Sequence, residues 1–178
     1  MLIHKKTAVS VARSEDIPTC ASIINQAYAG KDDLGGTGCH IKAKITIGPR
    51  INLDKNEELI NRESQCVFKY EENGDILGCV LVKVTEQPKL AYVGTLSVQP
   101  SFQSKGVGRV LLAAAENWAK EKGCTRMKLT VLHIRTELIE YYKRRGYQDN
   151  GETEAFPDNV PCTPLVPVHV VVLEKSMD

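Results

Sequence analysis

Residues Gln103-Ser104-Lys105-Gly106-Val107-Gly108-Arg109 put two glycines and two cations into one short turn. An apolar alternating run, Tyr92 to Val98, enters this turn through Gln99-Pro100. A segment of helical period, Val107 to Lys122, leaves it. The pattern predicts a strand feeding a glycine turn that opens a helix. The first N–H groups of such a helix have no intrahelical partner and carry partial positive charge. They make a receptor for phosphate or pyrophosphate. Gly106 and Gly108 let the main chain approach a ligand closely, and Lys105 and Arg109 add full charges.

The surrounding composition bounds what that receptor serves. A chain of 178 residues with 42% hydrophobic and 25% charged residues is expected to form one soluble globular domain, residues 1–178. Net charge is +1 and no basic stripe interleaves with aromatics, so neither nucleic acid nor an anionic membrane is an expected partner. Met1 to Lys6 lacks the apolar core of a signal peptide, and no run approaches the roughly 20 apolar residues of a membrane span. The expected compartment is the cytoplasm or the nucleus. Of six cysteines, none forms C-x-x-C and none has a histidine at zinc-site spacing, so no metal is expected. Cys20, Cys66, Cys79 and Cys124 read as reduced, buried thiols, whereas Cys39 and Cys162 fall in loops where exposure is expected.

The elements that must hold the turn follow from periodicity. Lys6 to Ala12 reads as a strand. Ser14 reads as an N-cap with Glu15 and Asp16 in the first turn, followed by a helical face of Ile17, Cys20, Ala21, Ile24, Ala27 and Tyr28. Gly30 to Arg50 has no strong period. It reads either as a connection or as a loop bordering a substrate cleft, and it lacks the G-K-[ST] ending of a nucleotide P-loop. Asp54-x-x-Glu57 resembles a capping box opening a helix, Lys55 to Ser64. Gln65 to Tyr70, Asp75 to Val84 and Leu90 to Val98 predict an antiparallel meander, with Asn73-Gly74 as its first hairpin turn. Val107, Val110, Leu111, Ala114 and Trp118 predict the buried stripe of the helix after the glycine turn, and Gly123 suits its C′ position. Met127 to Leu132 is β-rich. Arg135 to Arg145 is helical, Tyr147 begins a short strand, the proline-rich stretch Phe156 to Pro167 is a loop, and Val168 to Glu174 is a covered last strand.

Strand, Gln-x-x-Gly-x-Gly, helix, strand, helix and then Tyr142-Lys143-Arg144-Arg145-Gly146-Tyr147 form one ordered set. That set resembles the GNAT superfamily of acetyl-coenzyme-A-dependent N-acetyltransferases, and the ending, Tyr147-x-x-x-Gly151-Glu152 with Phe156-Pro157 and Val170 to Lys175, resembles a branch of small stand-alone members. The resemblance implies an α+β, three-layer fold. Its mixed central sheet has an antiparallel N-terminal meander and splayed parallel strands at the centre, with helices on both faces. It implies acetyl-CoA as co-substrate, with the pyrophosphate held by Gln103, Ser104, Lys105, Gly106, Val107, Gly108 and Arg109. Leu96, Ser97 and Val98 would pair with the pantetheine arm, and one of their amides would polarise the acetyl carbonyl. Tyr142 matches the tyrosine that serves as general acid in many members; a phenol beside the sulfur can protonate a leaving thiolate of pKa about 8.5. Its neighbour Tyr141 is expected to point elsewhere. Arg145 would reach an outer phosphate of the cofactor or simply end its helix.

Two positions depart from the family pattern. Arg135 stands where many members carry a cofactor-contacting Asn; it would bind the cofactor or lie in solvent. Tyr92 stands where some protein-acetylating members carry a glutamate base. Without an evident base, a lysine-like amine costs roughly 4–5 kcal/mol to deprotonate at pH 7, and an α-amino group about 1 kcal/mol. That tilts the expected acceptor toward a small amine or a peptide N-terminus, with Glu137 or Glu57 as carboxylates that would weaken the tilt. The enzyme is expected to act by direct attack in a ternary complex, as a monomer or homodimer. The alternatives are an acyl-CoA-binding sensor without catalysis and a protein lysine acetyltransferase.

Overall fold

The computed structural model describes residues 7–28, 45–52 and 59–177. Strand β1 (Thr7–Val11) leads through a single 3-10 turn, Ser14–Asp16, into helix α1 (Ile17–Tyr28). The cap lies one residue earlier than Ser14: the Asp16 carboxylate accepts the Arg13 N–H at 2.7 Å. Strand β2 (Thr46–Ile47) is followed by the meander β3 (Gln65–Glu72), β4 (Asp75–Val84) and β5 (Leu90–Val98). Helix α2 (Val107–Glu121), β6 (Arg126–Leu132), α3 (Thr136–Lys143), β7 (Gln148–Ala155), β8 (Thr163–Pro164) and β9 (His169–Ser176) complete the order. Among the described residues, no helix is long and apolar enough to cross a membrane.

Seven strands form one mixed sheet in the order β1-β3-β4-β5-β6-β9-β7, while β2 and β8 pair separately. Every pairing is antiparallel except β5 with β6. The meander is as the alternation predicts, and Asn73 and Gly74 both take the positive φ that a tight hairpin demands (55° and 94°). Helices cover both faces. Val80 and Val82 of β4 join the core under α2, whereas Cys79 and Leu81 join the core under α1, as a strand of period two requires. Tyr142 of α3 packs in the α2-side core.

Several local readings shift once the chain is packed. Residues 53–58, which include the Asp54–Glu57 capping pattern, lie outside the described residues. Leu59 is in 3-10 conformation, but residues 60–64 of the predicted helix are not helical: Arg62 and Gln65 form an antiparallel bridge straight into β3. Asn61 holds it there, donating to the Ala12 carbonyl at 2.6 Å and accepting the Val67 N–H at 2.7 Å. The buried stripe of α2 is Val107, Leu111, Leu112, Ala115 and Ala119; Val110 is exposed and Trp118 packs at the margin of the core. In α1, Ile23 is buried while Tyr28 is exposed. Cys162 is buried despite its loop position, and Cys39 lies outside the described residues. Strand β7 is eight residues long and exposed throughout, held by its ladder to β9 rather than by an apolar face.

One contact seats α2 on the sheet. Gly78 of β4 lies beneath the helix, where a Cβ would stand 2.8 Å from the Ser97 carbonyl oxygen and 3.0 Å from Leu111 Cδ1. Those positions are backbone and core, so neither can yield. Gly78→Ala is expected to cost about 1–3 kcal/mol of stability, read as a lowered urea midpoint at unchanged slope; an unchanged midpoint would show that α2 is free to move.

Candidate active site

The parallel ladder between β5 and β6 runs only from Leu90–Arg126 to Tyr92–Lys128. Beyond it, β5 stays paired with β4 out to Val98 and β6 stays paired with β9 out to Leu132. Each inner strand follows its outer neighbour, so the two diverge and the sheet splits. The facing main-chain groups of 93–98 and 129–132 are left without a strand partner. Pairing of β4 with β5 slips between Cys79 and Leu81, opposite Thr95, whose φ of 47° marks a bulge. The extra residue reverses the alternation: Ala91 and Val93 belong to the α2-side core, and after the bulge Leu96 and Val98 pack there too. The hydroxyl oxygens of Thr95 and Ser97 are buried here without a hydrogen-bond partner.

Beyond Val98 the chain passes through a 3-10 turn, Pro100–Phe102, to the glycine turn. Ser104 and Gly106 both take positive φ (62° and 87°), and Gly106 is the N-cap of α2. No side chain caps that helix. A Cβ at Gly106 would meet nothing within 4 Å, so the space beside the N-cap of α2 is open, and no side chain occupies the partnerless first-turn amides. Lys105 lies over the Phe102 ring at 4.6 Å, and Arg109 is exposed. Gln103 acts as a brace, its side-chain amide donating to the Val98 carbonyl at 3.1 Å and tying the strand end to the turn.

Tyr142 is buried on α3, edge-on to both Tyr141 (5.2 Å between centroids) and Tyr147 (5.7 Å). Tyr147 is fixed in turn: its hydroxyl donates to Glu116 of α2 at 3.0 Å, and the same carboxylate takes the Lys175 ammonium of β9 at 2.9 Å. Burial pushes the Tyr142 phenol well above its ordinary range; the phenols of Tyr28, Tyr141 and Tyr92 add to the rise and the Arg135 guanidinium opposes it. Tyr141 stands over the glycine turn, its hydroxyl 3.0 Å from where a Gly108 Cβ would be. Arg145 lies flat on the Tyr141 ring at 3.4 Å and donates to the Tyr141 carbonyl at 2.7 Å, leaving its own Nε buried and unpartnered. Tyr141 does point elsewhere than Tyr142, as its adjacent position suggests: it reaches over Gly108 while Tyr142 packs in the α2-side core.

The opposite mouth of the split is lined from the α1 face. Tyr92 reaches across it to Thr130, hydroxyl to hydroxyl at 3.0 Å. Arg135, the N-cap of α3, donates from Nε to Glu137. Glu137 is therefore engaged by a cation, and Glu57 lies outside the described residues. Tyr28 and Arg50 belong to this side as well, the guanidinium carbon 5.6 Å from the ring centroid. In the sequence Tyr28 reads only as the end of an apolar helical face, and Arg50 carries no signal beyond the irregularity of the Gly30–Arg50 stretch. Burial raises the Cys124 thiol and pushes Cys66 up to about 11, so both stay protonated and make poor nucleophiles.

Residues 40–147 match the family model described as acetyltransferase (GNAT) family. The uncharacterized N-acetyltransferase YhfO of Bacillus subtilis is 26% identical over 158 residues, which cover 85% of this chain and 96% of that protein. The ribosomal-protein-S18-alanine N-acetyltransferase of Escherichia coli shares the fold with a TM-score of 0.73 at 16% identity, over 97% of this chain and 95% of its own. A GNAT family acetyltransferase from Elizabethkingia anophelis, solved with acetyl-CoA bound, matches 64% of this chain and 77% of its own with a TM-score of 0.53 at 17% identity.

A carboxylate at Gly106 would project into the space in front of the α2 amides and repel an anion there. Gly106→Glu is expected to abolish binding of coenzyme A in a calorimetric titration. Retained micromolar affinity would remove the turn as the phosphate receptor.

Proposed function

The chain belongs to the acetyltransferase (GNAT) family, and from that membership we propose that it transfers an acetyl group from acetyl-CoA to a primary amine by direct attack in a ternary complex. The observation that carries this reading is the split in the sheet: it lies between an uncapped helix N-terminus on one face and a buried tyrosine beside its opening. Residues 104–109 would take the pyrophosphate on the α2 amides, with Lys105 and Arg109 at hand and Gln103 bracing the turn. The main-chain groups of Leu96, Ser97 and Val98 that face the split have no strand partner there, the Val98 carbonyl being taken by Gln103; those left would suit the amide-bearing arm of coenzyme A, as would the orphaned hydroxyls of Thr95 and Ser97. Arg145, stacked on Tyr141, would turn its free Nε toward the outer phosphates, and Arg135 would meet the arm from the head of α3.

The bound thioester supplies an activated acetyl carbon. The residues do the rest. The amine nitrogen forms a bond to that carbon as the carbon–sulfur bond breaks. An unpaired β5 amide donates to the carbonyl oxygen as it gains charge. Tyr142 gives its proton to the departing sulfur and recovers one from solvent; the amine's excess proton leaves to water. Burial that raises the phenol also raises a thiol in the same place, so the proton transfer stays within reach despite the shift. Small amines and peptide N-termini are the favoured acceptors, since Tyr92 is committed to Thr130 and Glu137 to Arg135 and neither is placed as a base.

Tyr142→Phe is expected to lower kcat by about 10²-fold or more with coenzyme A affinity unchanged. The pH dependence follows from the raised phenol: the acid form of Tyr142 persists to higher pH, so kcat rises as the amine deprotonates and does not fall again below about pH 10. A descending limb near neutrality that vanishes in the Phe variant would contradict the assignment. A thiol-release assay that finds no acetylated amine, while coenzyme A still raises the melting temperature, would favour an acyl-CoA sensor.

A further inference from the structure

Arg50 is the terminal residue of the stretch whose role the sequence left open between a connection and a cleft border. Its position is firmly set. Asn25 of α1 pairs with both main-chain groups of the next residue: its side-chain N–H donates to the Ile51 carbonyl at 2.9 Å, and its side-chain oxygen accepts the Ile51 N–H at 2.9 Å. Ile51 itself is buried in the α1-side core. One turn further along α1, Tyr28 receives the Arg50 guanidinium on its ring at 5.6 Å. A guanidinium carries five donors. One of them, Nη1, is shut off from solvent and has no partner. A buried cationic donor left unmatched is costly, so Nη1 is poised to take an acceptor from outside the chain.

What would complete it is set by its neighbours. Tyr28 lies within the electrostatic field of Arg50, Tyr92 and Arg135, and Tyr142 within that of Tyr28, Tyr92 and Arg135. Arg50 therefore lies on the α1 side of the sheet, over Tyr28 at the end of α1, the side from which Tyr92 and Thr130 line the split. The α2 amides open on the opposite face, so Arg50 is remote from the proposed phosphate receptor. Tyr92 is taken by Thr130 and Glu137 by Arg135. Among the described residues, the remaining groups there are phenols and a second guanidinium, which together favour a negative charge.

We infer that the acyl acceptor is a small amine that also carries a carboxylate, and that Arg50, placed by Asn25 and Tyr28, binds that carboxylate so that the amine enters the split between β5 and β6. This rests on the acetyl-transfer reading above and names its substrate class. The carboxylate supplies the planar pair of acceptors that a guanidinium fork matches. Pairing it with Arg50 also weakens the field by which a zwitterion's carboxylate holds its own ammonium protonated, and Arg135 acts in the same direction. The chain thereby eases deprotonation of the acceptor without a dedicated base.

The test is a thiol-release assay with acetyl-CoA and matched pairs of amines: the common L-amino acids, β-alanine and γ-aminobutyrate, each against its C-terminal amide. The wild-type chain is expected to prefer the acid of at least one pair by about 10²-fold in kcat/KM. Arg50→Gln is expected to erase that preference mainly by raising KM for the acid. Arg50→Lys, which keeps the charge and loses the fork, should retain part of it. Calorimetric binding of the preferred acid to the coenzyme A complex should weaken in step, while coenzyme A affinity stays unchanged and reports that the variants fold. Equal use of acids and amides, or a preference that survives Arg50→Gln, overturns this inference and leaves acetyl transfer standing. Coenzyme A binding with no amine acetylated removes acetyl transfer and this inference together.

Discussion

Three residue pairs hold β5 to β6, and the end of that short ladder governs the site. A sheet normally spends its main-chain donors and acceptors on itself, and a run of unpaired groups in the middle of one is unfavourable unless something else pairs with them. Here the outer ladders impose it. β4 keeps β5 paired out to Val98, and β9 carries β6 away to Leu132. The bulge at Thr95 lets β5 diverge without turning its apolar side chains to the wrong face, because the added residue restores Leu96 and Val98 to the core. The split is thus built into a well-packed sheet rather than being a defect in it.

The split also joins two faces of different chemistry. On the α2 face, the chain offers backbone amides and a helix dipole, which suit a polyanion. On the α1 face, it offers phenols and guanidinium groups held by side-chain bonds, with Arg50 fixed through Asn25 and Tyr92 through Thr130. Two reactants that entered from opposite faces would need no exchange of places, which suits the proposed direct transfer without a covalent enzyme intermediate. Cys66 and Cys124, which burial keeps protonated, lie within the packing that supports this arrangement.

Tyr142 shows how packing and reactivity are linked. Its ring is held edge-on by two other tyrosines, and the outer one is anchored by a carboxylate shared between α2 and β9. The same enclosure that fixes the hydroxyl in place strips water from it and keeps it protonated. Position and protonation state therefore have one cause. Tyr141, one residue earlier, uses the turn of a short helix to reach over Gly108, where Arg145 covers it.

The sequence by itself determined the features that depend on a few adjacent residues. Asn73-Gly74 dictates a hairpin because only such residues tolerate two positive φ angles in succession. Gly106 opens α2 and Gly123 follows its end for the same kind of reason, and alternation alone yields the meander. The ordered motif from the strand before the turn to Tyr147 was enough to suggest the family. Tertiary structure decided everything that depends on residues far apart in the chain. Asn61 pulls the end of a predicted helix into a bridge with β3, and the bulge resets which residues of β5 face inward. Arg50 meets Tyr28 only because Asn25 binds Ile51 from 26 positions away. Local patterns report backbone preference, which acts over a single turn. Burial, field and the partnering of a charge are sums over neighbours that only the packed chain brings together.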